Sequence, residues 1–462
     1  MKDFDVMVLG SGSGAMIASN AVSRGMHVAL IEARYMGGTC LNTGCIPSKM
    51  LIYTADLVRT IELARALGVK ARVEEIEFKA IMDRMRRQIK EDRLGIERST
   101  ENIPNLTLYR GLGEFTSDYT VKVSGETMRA DNIFIVTGTR PMIPPIKGLS
   151  EVEYLTNETV LDLDNQPRSM IIIGGGYIAV EYGHFFSSMG TDVTIVEMMP
   201  RLVSQEEPEI SELLEKEMSR WMKILTGNRV VEVRDRGKLK EVIAEDDRTG
   251  EKRTLSAEAI MVAVGRVPNS DILKPEKTGV ETDSRGFIKV NEYLETSKER
   301  IWAFGDAIGK AMFKHVANYE AEVAWHNFEH GTHNHKTRAD YSAIPHAVYG
   351  YPQIASVGLT ENQAKEKGIE ILVGKHYYRD TAKGVAMGEQ NGFFKVIVEK
   401  KTDRLLGGHI IGPYAPELIQ EVINAMSSGD RTYLPIIEGL HIHPALPEVV
   451  QWAFGTLRET AT

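Results

Sequence analysis

Residues 10–15 read Gly-Ser-Gly-Ser-Gly-Ala and directly follow an apolar run, Phe-Asp-Val-Met-Val-Leu, at residues 4–9. A helix-like pattern comes next, and a second apolar run at residues 28–32 ends in Glu32. Strand, glycine-rich turn, helix and strand in this order predict a βαβ unit. An acid at the end of the second strand, about 20 residues beyond the glycines, is what a dinucleotide-binding unit requires.

The positions in this turn have distinct mechanical roles. Gly10 is expected to make the tight turn, and Gly12 to let the backbone approach a pyrophosphate resting on the helix N-terminus. Ala15 takes the third position, where a small residue allows the helix to pack closely on the strand. Glu32 would accept hydrogen bonds from ribose hydroxyls. We also assign Gly14 to the cofactor site.

The same pattern returns near the middle of the chain. Residues 174–179 read Gly-Gly-Gly-Tyr-Ile-Ala after the apolar run at residues 170–173, and a further run at residues 193–197 ends in Glu197. One glycine turn is weak evidence, but two complete units, each in a βαβ setting, strongly indicate two bound dinucleotides. The residues expected to bind the second dinucleotide are Gly174, Gly176, Tyr177, Ile178 and Glu197.

Three more short apolar runs, at residues 133–136, 260–264 and 301–304, each lead into a turn that contains glycine. Ligands in open α/β sheets bind beyond the carboxyl ends of the strands, so these turns should line the nucleotide sites. The residues concerned are Thr137, Gly138, Gly265, Arg266, Gly305 and Asp306.

The only two cysteines among the 462 residues, Cys40 and Cys45, are five positions apart. In a regular helix that spacing separates the Cα atoms by roughly 8 to 9 Å, whereas a disulfide needs them within about 7 Å. A bond between them would therefore require a distorted turn, and a strained disulfide is more easily reduced, which favours a redox role. Two buried thiols that act as small hydrophobic side chains are the alternative.

Length, charge and composition argue against several classes of protein. The length predicts two to four domains, and the net charge of −9 argues against binding nucleic acid through phosphate neutralisation. We expect no membrane span, because no apolar run approaches the necessary length. No signal-peptide pattern precedes the first strand, and two cysteines cannot build a disulfide scaffold, so we expect a cytoplasmic protein.

The pattern of predicted secondary structure changes from about residue 342. Residues 393–398 and 405–411 predict an antiparallel hairpin, and residues 416–426 a helix, which together indicate a separate α+β domain. The preceding segment, residues 326–340, is polar and predicts a solvated linker. Its histidines, His330, His333 and His335, suggest a metal site only weakly, because no acid or cysteine completes the ligand set.

Residues 37–49 read GGTCLNTGCIPSK, which resembles the redox-active disulfide motif of the class I FAD-dependent pyridine nucleotide–disulfide oxidoreductases. That group includes dihydrolipoamide dehydrogenase, glutathione reductase, mycothione reductase and mercuric reductase. The resemblance covers nearly the whole chain and implies an α/β fold with two Rossmann-like domains, for FAD and NAD, and a C-terminal α+β dimerisation domain. The expected divisions are 1–147 and 269–340 for FAD, 148–268 for NAD and 341–462 for the interface.

By this resemblance the first βαβ unit binds FAD and the second binds NAD. Residues 136–141 resemble the second FAD segment, and Asp306 resembles the aspartate that holds the flavin ribityl chain. The further cofactor-binding residues expected are Gly38, Thr39, Lys49, Gly113, Arg140, Phe313 and Lys314.

The resemblance also implies catalytic roles. Cys40 would be the interchange thiol that meets the substrate, and Cys45 the charge-transfer thiol against the flavin. Residues 441–448 read His-Ile-His-Pro-Ala-Leu-Pro-Glu and resemble the catalytic His–Glu motif, in which His443 is the base and Glu448 orients it. The family usually has Thr where this chain has Ala445, and His441 is expected to be structural.

Lys49 is expected near flavin N5, paired with Glu181, where a cation would stabilise the reduced flavin. The alternative for this pair is a surface salt bridge of little value. Tyr177 stands where glutathione reductases carry a tyrosine over the nicotinamide pocket, and a surface-facing aromatic is its alternative. The C-terminal domain would build a homodimer in which each His443 serves the disulfide of the other subunit.

Glu197 favours NAD(H) over NADP, because a carboxylate repels a 2′-phosphate and Arg201 alone does not make a phosphate clamp. NAD preference and the cysteine motif favour dihydrolipoyl dehydrogenase, with a dithiol substrate such as a lipoyl group on a partner protein. Residues 314–320 and 443–450 look closer to mycothione reductase, so a reductase of low-molecular-weight disulfides is the alternative. Mercuric reductase is disfavoured because the tail has no cysteine pair, and a non-catalytic FAD/NADH-binding scaffold is a second alternative.

Overall fold

The computed structural model describes residues 2–331 and 335–459. The helices in this part of the chain are α1 (Gly14–Ser23), α2 (Gly38–Thr43), α3 (Cys45–Leu63), α4 (Phe78–Thr100), α5 (Tyr177–Ser188), α6 (Pro208–Met218), α7 (Ser270–Leu273), α8 (Lys314–His330), α9 (Glu361–Glu366), α10 (Ala382–Met387), α11 (Ala415–Met426), α12 (Leu434–Glu438) and α13 (Glu448–Ala453). The strands are β1 (Lys2–Leu9), β2 (Val28–Glu32), β3 (Leu106–Arg110), β4 (Gly113–Ser117), β5 (Thr120–Val123), β6 (Glu126–Ile135), β7 (Thr139–Pro141), β8 (Ser169–Ile173), β9 (Asp192–Val196), β10 (Lys223–Leu225), β11 (Asn228–Arg236), β12 (Leu239–Asp246), β13 (Lys252–Ala257), β14 (Ala259–Val262), β15 (Arg266–Pro268), β16 (Ile301–Ala303), β17 (Pro345–Val348), β18 (Ile354–Gly358), β19 (Ile371–Tyr377), β20 (Phe393–Glu399), β21 (Leu405–Ile411) and β22 (Arg458–Glu459). Within the described ranges, no helix is both long and apolar enough to span a bilayer.

The chain divides into two compact units, each made of three segments. The first unit comprises Met1–Ser48, Asp83–Met142 and Gly265–Asp340. The second comprises Lys49–Met82, Ile143–Val264 and Tyr341–Thr462. The finer division into FAD, NAD and interface domains stays a prediction.

The first unit is built on a seven-stranded sheet in the order β3-β2-β1-β6-β5-β4, with β16 also pairing with β6. Strands β3, β2, β1, β6 and β16 run parallel, while β4 and β5 join by antiparallel pairing. Because β2 and β6 lie on opposite sides of β1, the strand order reverses direction there. Such a switch point opens a crevice at the carboxyl ends of the strands, and the first glycine turn begins at that end of β1.

The second unit contains three sheets. One is parallel, in the order β10-β9-β8-β14, and a three-stranded antiparallel sheet has the order β11-β12-β13. The six-stranded sheet β17-β18-β21-β20-β19-β22 is antiparallel. The predicted hairpin is confirmed as β20 and β21, and the predicted helix as α11, which begins one residue earlier than expected.

In both βαβ units, the glycine turn is hydrogen-bonded to the second strand at the same position. In each unit, the first glycine of the turn donates its N–H to the carbonyl of the residue directly before the acid that closes the second strand. Gly10 donates to Ile31 over 2.8 Å, and Gly174 donates to Val196 over 2.9 Å. The repeated sequence pattern therefore produces the same local backbone arrangement twice.

The prediction of a solvated linker over residues 326–340 is wrong at its beginning. Residues 326–330 complete α8, where Asn327 is buried and donates to the carbonyl oxygens of Tyr293 and Thr337. Trp325 and Phe328, three positions apart, place aromatic rings on the core of the first unit. This helical spacing of apolar residues overrides the polar composition of the segment.

The described ranges contain no group of three or more His, Cys, Asp or Glu side chains that could hold a metal ion. His330 stacks on His326 with ring centroids 4.2 Å apart, and His326 Nε2 lies 2.8 Å from the carbonyl oxygen of His335. His333 lies outside the described residues.

Candidate active site

The two cysteines flank a break between helices. Helix α2 ends at Thr43, α3 begins at Cys45, and the intervening Gly44 has φ −137° and ψ −110°. The distortion expected for this spacing is therefore present. Both residues are thiols, with Cys40 half-buried and Cys45 exposed, so the alternative of two thiols buried in a core does not describe this pair. A hydrogen bond with Cys45, assisted by burial, raises the pKa of the Cys40 thiol.

Glycines bring the cysteine helix against the first glycine turn. Gly37 and Gly38 have φ of 93° and 64°, in the left-handed region that glycine adopts without strain. A Cβ on Gly38 would lie 2.8 Å from the Cα of Gly12. The backbone approach needed for a pyrophosphate cradle is therefore present, and any side chain at Gly38 would fill it.

The first glycine turn packs against the chain that leaves β6. Gly10 has φ 111°, and a Cβ there would lie 2.3 Å from the carbonyl oxygen of Val136. The close helix–strand packing that the sequence assigned to Ala15 falls on Gly14, whose Cβ would lie 2.7 Å from Val8 Cγ1. Ala15 itself is half-buried and is the second residue of α1.

Glu32 is held in place by the loop around it. One carboxylate oxygen accepts from the N–H and the hydroxyl of Ser11, at 2.9 and 2.6 Å, and the other accepts from the N–H of Arg34 at 2.9 Å. A carboxylate offers about four acceptor positions. Glu32 therefore keeps capacity for a ribose hydroxyl, and this site fits the adenosine half of FAD.

Asp306 lies half-buried at the turn after β16. It accepts a hydrogen bond from Thr139 Oγ1 at 2.9 Å, and Arg266 Nε donates to the same hydroxyl at 2.7 Å. Burial raises the pKa of Asp306 despite these contacts. Thr139, which the sequence reasoning left out, lies between the assigned Gly138 and Arg140 and holds Asp306 and Arg266 together.

Arg140 is engaged by the protein itself. Its guanidinium pairs with both carboxylate oxygens of Asp271 at 2.8 and 2.7 Å and donates to the carbonyl of Pro268 at 2.8 Å. These contacts join β7 to the segment that follows β15, so the turn after β6 is fixed on both sides. A direct contact of Arg140 with a cofactor stays a prediction.

The remaining assigned residues of the first unit occupy diverse positions. Thr39 is exposed on α2, Gly113 begins β4, and Gly138 has φ 63°. Phe313 precedes α8 and stacks on His315 with ring centroids 5.6 Å apart. The carbonyl of Thr137 accepts a hydrogen bond from the Asn269 side chain at 2.8 Å.

Lys314 lies on the first turn of α8 and donates to the Ser13 hydroxyl at 2.9 Å. That hydroxyl in turn lies 2.9 Å from the side-chain oxygen of Asn318. Burial lowers the pKa of Lys314, and the charges of Cys40 and Cys45 oppose that shift. The sequence predicted a cofactor contact for Lys314 but not its proximity to the cysteines, because the residues are far apart in the chain.

The glycine turn of the second unit repeats this design. Gly174 has φ 109°, and a Cβ there would lie 2.3 Å from the carbonyl oxygen of Ala263. Gly176 precedes α5, and a Cβ added there would have no neighbouring atom within 4 Å. Tyr177 and Ile178 are half-buried on the first helical turn. The open space beside Gly176 and the N-terminus of α5 fit a pyrophosphate.

Glu197 follows β9 and is buried, and it accepts a hydrogen bond from the N–H of Met199 at 2.6 Å. Arg34 and Glu32 have the same i+2 relation in the first unit. Each acid therefore fixes the loop that follows its own strand. The carboxylate is a negative group at the end of the strand where a ribose would lie.

Lys49 and Glu181 form a close pair in the second unit. Lys49 Nζ lies 2.8 Å from both carboxylate oxygens of Glu181, and the N–H of Tyr349 donates to the same carboxylate at 3.2 Å. The ammonium also lies 4.6 Å from the centroid of the Tyr349 ring. Because Glu181 is buried, this pair is not the weak surface salt bridge that the alternative describes.

His443 and Glu448 also form a pair. His443 Nδ1 lies 2.7 Å from one oxygen of Glu448, and the N–H of Ala445 donates to the other at 3.1 Å. Burial would raise the pKa of Glu448, but its hydrogen bonds with His443 and Ala445 outweigh it and lower that pKa. The side chain of His443 is 66% exposed and that of Glu448 only 4%. The glutamate thus orients an imidazole that remains largely exposed.

Two dinucleotide turns, each closed by an acid, together with a thiol pair in a broken helix, define a nucleotide-dependent oxidoreductase. The family described as pyridine nucleotide-disulphide oxidoreductase matches residues 4–321, and its dimerisation domain matches residues 344–454. This chain belongs to that family, which is FAD-dependent and uses NAD(P)H. The predicted family, fold class and use of FAD with a nicotinamide dinucleotide are confirmed, and the dimerisation domain supports a homodimer.

Similar proteins include mycothione reductase from Mycobacterium tuberculosis, which is 37% identical over 467 residues, covering 99% of this chain and 100% of that protein. Dihydrolipoyl dehydrogenase from Chlamydia muridarum is 34% identical, over 98% of this chain and 96% of its own length. Among solved structures, a Cu(II) complex of the HOCl-induced flavoprotein disulfide reductase RclA from Escherichia coli matches with a TM-score of 0.87 and 26% identity, over 98% of this chain and 99% of that one.

Proposed function

We propose that this enzyme reduces a low-molecular-weight disulfide with NADH, through the Cys40–Cys45 pair. The observation that carries the proposal is the break at Gly44, which allows the two thiols to hydrogen bond although their spacing in a regular helix would separate them. The net reaction takes NADH, one proton and a disulfide to NAD⁺ and two thiols.

FAD, when bound, accepts a hydride from NADH and passes two electrons to a disulfide. In this chain Gly10, Gly12 and Gly38 would hold its pyrophosphate, Glu32 its ribose and Asp306 its ribityl chain. Gly176 and the N-terminus of α5 would hold the pyrophosphate of NADH, with Tyr177 and Ile178 beside it.

The reduced pair acts on substrate by thiol–disulfide exchange. The thiolate of Cys40 attacks one sulfur of the substrate disulfide, and the leaving thiolate takes a proton from the His443 imidazolium. The Cys45 thiolate then attacks Cys40 in the mixed disulfide, which restores the Cys40–Cys45 disulfide and releases the second product as a thiolate. That thiolate takes up the solvent proton of the net reaction. His443, oriented by Glu448, returns to its starting state by accepting the proton of the Cys40 thiol in the next cycle.

We propose that Lys49 stabilises the negative charge that develops on the reduced cofactor. Its ammonium is fixed by two contacts to buried Glu181 and by the face of Tyr349. A preorganised cation of this kind stabilises negative charge without having to reorient during the reaction.

We further propose that two copies of the chain share each active site, with His443 serving the cysteines of the partner. Large apolar side chains around His443 support this arrangement, since Leu440 is fully exposed and Ile442 is 79% exposed. Exposed apolar side chains of this size in one short segment are typical of a protein interface. The dimerisation-domain match over residues 344–454 includes this segment.

NADH is the proposed reductant because Glu197 occupies the ribose position. A 2′-phosphate would lie against this buried carboxylate and be repelled. We also propose the domain assignment of 1–147 and 269–340 for FAD, 148–268 for NAD and 341–462 for the interface. A reducing compartment, the cytoplasm, suits a chain whose cysteine content is one reactive pair.

The substrate assignment is supported by the 37% identity with a mycothione reductase and by the similarity of residues 314–320 and 443–450 to such enzymes. Dihydrolipoyl dehydrogenase is the second candidate, supported by the predicted NAD preference and the wording of the cysteine motif. A non-catalytic scaffold is disfavoured, because the cysteine pair, the His443–Glu448 pair and the Lys49–Glu181 pair are all present.

Steady-state kinetics on the FAD-loaded enzyme test these assignments. We expect the highest kcat/KM with NADH and a small thiol disulfide, chosen from mycothione disulfide, glutathione disulfide and lipoamide. Faster oxidation of dihydrolipoamide with NAD⁺ would establish the second candidate instead. A higher kcat/KM for NADPH than for NADH would overturn the cofactor assignment, and turnover of none of these substrates would overturn the proposed function.

A further inference from the structure

Lys314 places a half-buried ammonium group beside the cysteine pair. Its neutral partner is the hydroxyl of Ser13, at 2.9 Å, and no carboxylate pairs with it in the part of the chain that the structure describes. A cation that loses hydration without gaining an anion is costly. An anion that forms nearby would therefore offset this cost.

Three elements converge at this point of the first unit. Ser13 belongs to the first glycine turn and precedes α1, and Gly12 of that turn lies against Gly38, the first residue of α2. Cys40 follows on the same helix. The lysine reaches the turn from the start of α8, and Asn318, one turn further along α8, lies 2.9 Å from the hydroxyl to which Lys314 donates. The ammonium is thus held in one place.

The titratable groups that act on Lys314 are Cys40 on α2 and Cys45 on α3. The reciprocal effect of Lys314 is to lower the pKa of Cys40, against the larger effects of the Cys45 hydrogen bond and burial. Cys45 is the first residue of the 19-residue helix α3, and a helix N-terminus also favours a thiolate. The pair is therefore surrounded by positive potential from two directions.

We propose that Lys314 is a positioning residue that supplies the positive charge for a thiolate in the reduced cysteine pair. This inference rests on the proposed function, in which the pair is the redox centre. Reduction of the disulfide by two electrons with uptake of one proton yields one thiolate and one thiol. With Lys314 present, the pair keeps one thiolate at neutral pH, and the proton of the remaining thiol is the one that His443 accepts.

The test compares the NADH-reduced, FAD-loaded enzyme with Lys314→Met, Lys314→Arg and Lys310→Met, the last being a control at an exposed lysine four residues away. Iodoacetamide alkylation of each cysteine is followed by peptide mass spectrometry from pH 5 to 10, because the rate follows the thiolate fraction. We expect Lys314→Met to lower the alkylation rate at pH 7 by about tenfold and to move its pH midpoint up by about one unit. Lys314→Arg should retain the wild-type profile.

Different alkylation results would contradict the role of Lys314 and the role of the cysteine pair. Superimposable profiles for wild type and Lys314→Met, or an equal shift in Lys310→Met, would overturn the role of Lys314. Loss of FAD affinity in Lys314→Met with an unchanged profile would also overturn it and would assign the lysine to the cofactor pyrophosphate. If NADH does not expose alkylatable thiols even in the oxidised wild-type enzyme, the redox pair itself fails, and with it the proposed function.

Discussion

His441 and His443 are two residues apart, and each pairs with a glutamate, yet they have opposite environments. The side chain of His441 is 9% exposed and lies 2.6 Å from Glu421, while its other nitrogen lies 3.1 Å from the carbonyl oxygen of Gly439. Both nitrogens of His441 are therefore occupied. Among the described residues, His443 pairs through Nδ1 alone, with Glu448, and its side chain remains 66% exposed. This difference suits His441 to structure and His443 to proton transfer.

Replacing His443 by Gln should therefore separate chemistry from cofactor binding. We expect His443→Gln to lower kcat for disulfide reduction by about 10² to 10⁴-fold, the usual contribution of a positioned acid–base group. Reduction of the bound FAD by NADH, measured by stopped-flow absorbance, should be unchanged. His441→Gln is the matched control and should mainly lower the melting temperature. Equal losses of kcat in the two variants would contradict the assigned division of roles.

At the scale of the element, the strand–turn–helix unit shows why its glycines are not equivalent. Gly174 has a left-handed φ of 109° and no room for a Cβ, whereas Gly176 has φ −76° and open space around it. The first residue is therefore constrained by the fold, and the second by what approaches the turn.

Alanine substitutions should distinguish the structural constraint at Gly174 from the need for open space at Gly176. Gly174→Ala should destabilise the protein by about 3 kcal/mol, because the added Cβ meets a carbonyl oxygen and the φ is unfavourable. Gly176→Ala should leave the melting temperature unchanged and raise KM for NADH, since the methyl group occupies the space for the pyrophosphate. Unfolding curves and steady-state kinetics measure both effects. A destabilised Gly176→Ala variant with normal KM would contradict this interpretation.

Local patterns predicted the elements more accurately than the contacts between them. The two βαβ units and the β20–β21 hairpin follow from periodicity and turn residues, which act over a few positions. The extension of α8 through residues 326–330 was missed, because aromatic packing on the core outweighed polar composition. Thr139 and Lys314 were not recognised as partners of Asp306 and the cysteines, because such pairings depend on the tertiary fold.

At the scale of the whole molecule, buried ion pairs tie the loop between β9 and α6 to the six-stranded sheet of the second unit. Glu206 is buried and contacts His346 Nε2 and the hydroxyl of Ser356, and the neighbouring Glu207 lies 2.8 Å from buried Lys395. The same loop begins beside Glu197. The loop that follows the predicted NAD-binding acid is therefore held in part by charges of the C-terminal segment.

The Glu206–His346 pair gives the stability a defined pH dependence. Burial opposes the charge on each partner, but their contact raises the pKa of His346 and, with Ser356, lowers that of Glu206. The histidine contribution is complete below its unfolded pKa of about 6.5 and is lost as pH rises through the higher folded pKa. The glutamate contribution is present above its unfolded pKa of about 4.3 and is lost as pH falls through the lower folded pKa.

Wild type should therefore exceed the Glu206→Gln/His346→Gln double variant in melting temperature most clearly at about pH 5 to 6. The difference should shrink as the pH is raised towards 9, because His346 then loses its proton. The single variant His346→Ala should lose about 3 kcal/mol, since it leaves the buried carboxylate without its cation. A difference between wild type and the double variant that grows steadily up to pH 9 would contradict this account.

The exposed apolar segment around His443 predicts that two chains associate through it. Leu440→Asp combined with Ile442→Asp places charge on the exposed apolar segment and should convert the dimer into monomers, as measured by analytical ultracentrifugation. The monomer should still bind FAD and accept electrons from NADH but lose disulfide reduction, because His443 is proposed to act on the partner. A monomer with full disulfide reductase activity would contradict the shared site.

The number of electrons that the enzyme takes up tests most directly whether the cysteine pair receives electrons from the flavin. Anaerobic titration of the FAD-loaded enzyme with dithionite should require four electrons per flavin in wild type, two for FAD and two for the Cys40–Cys45 disulfide. Cys40→Ser and Cys45→Ser should each require two, with the flavin spectrum bleaching at once. If wild type and both variants take up the same number of electrons, the cysteine pair does not carry the electrons that leave the flavin.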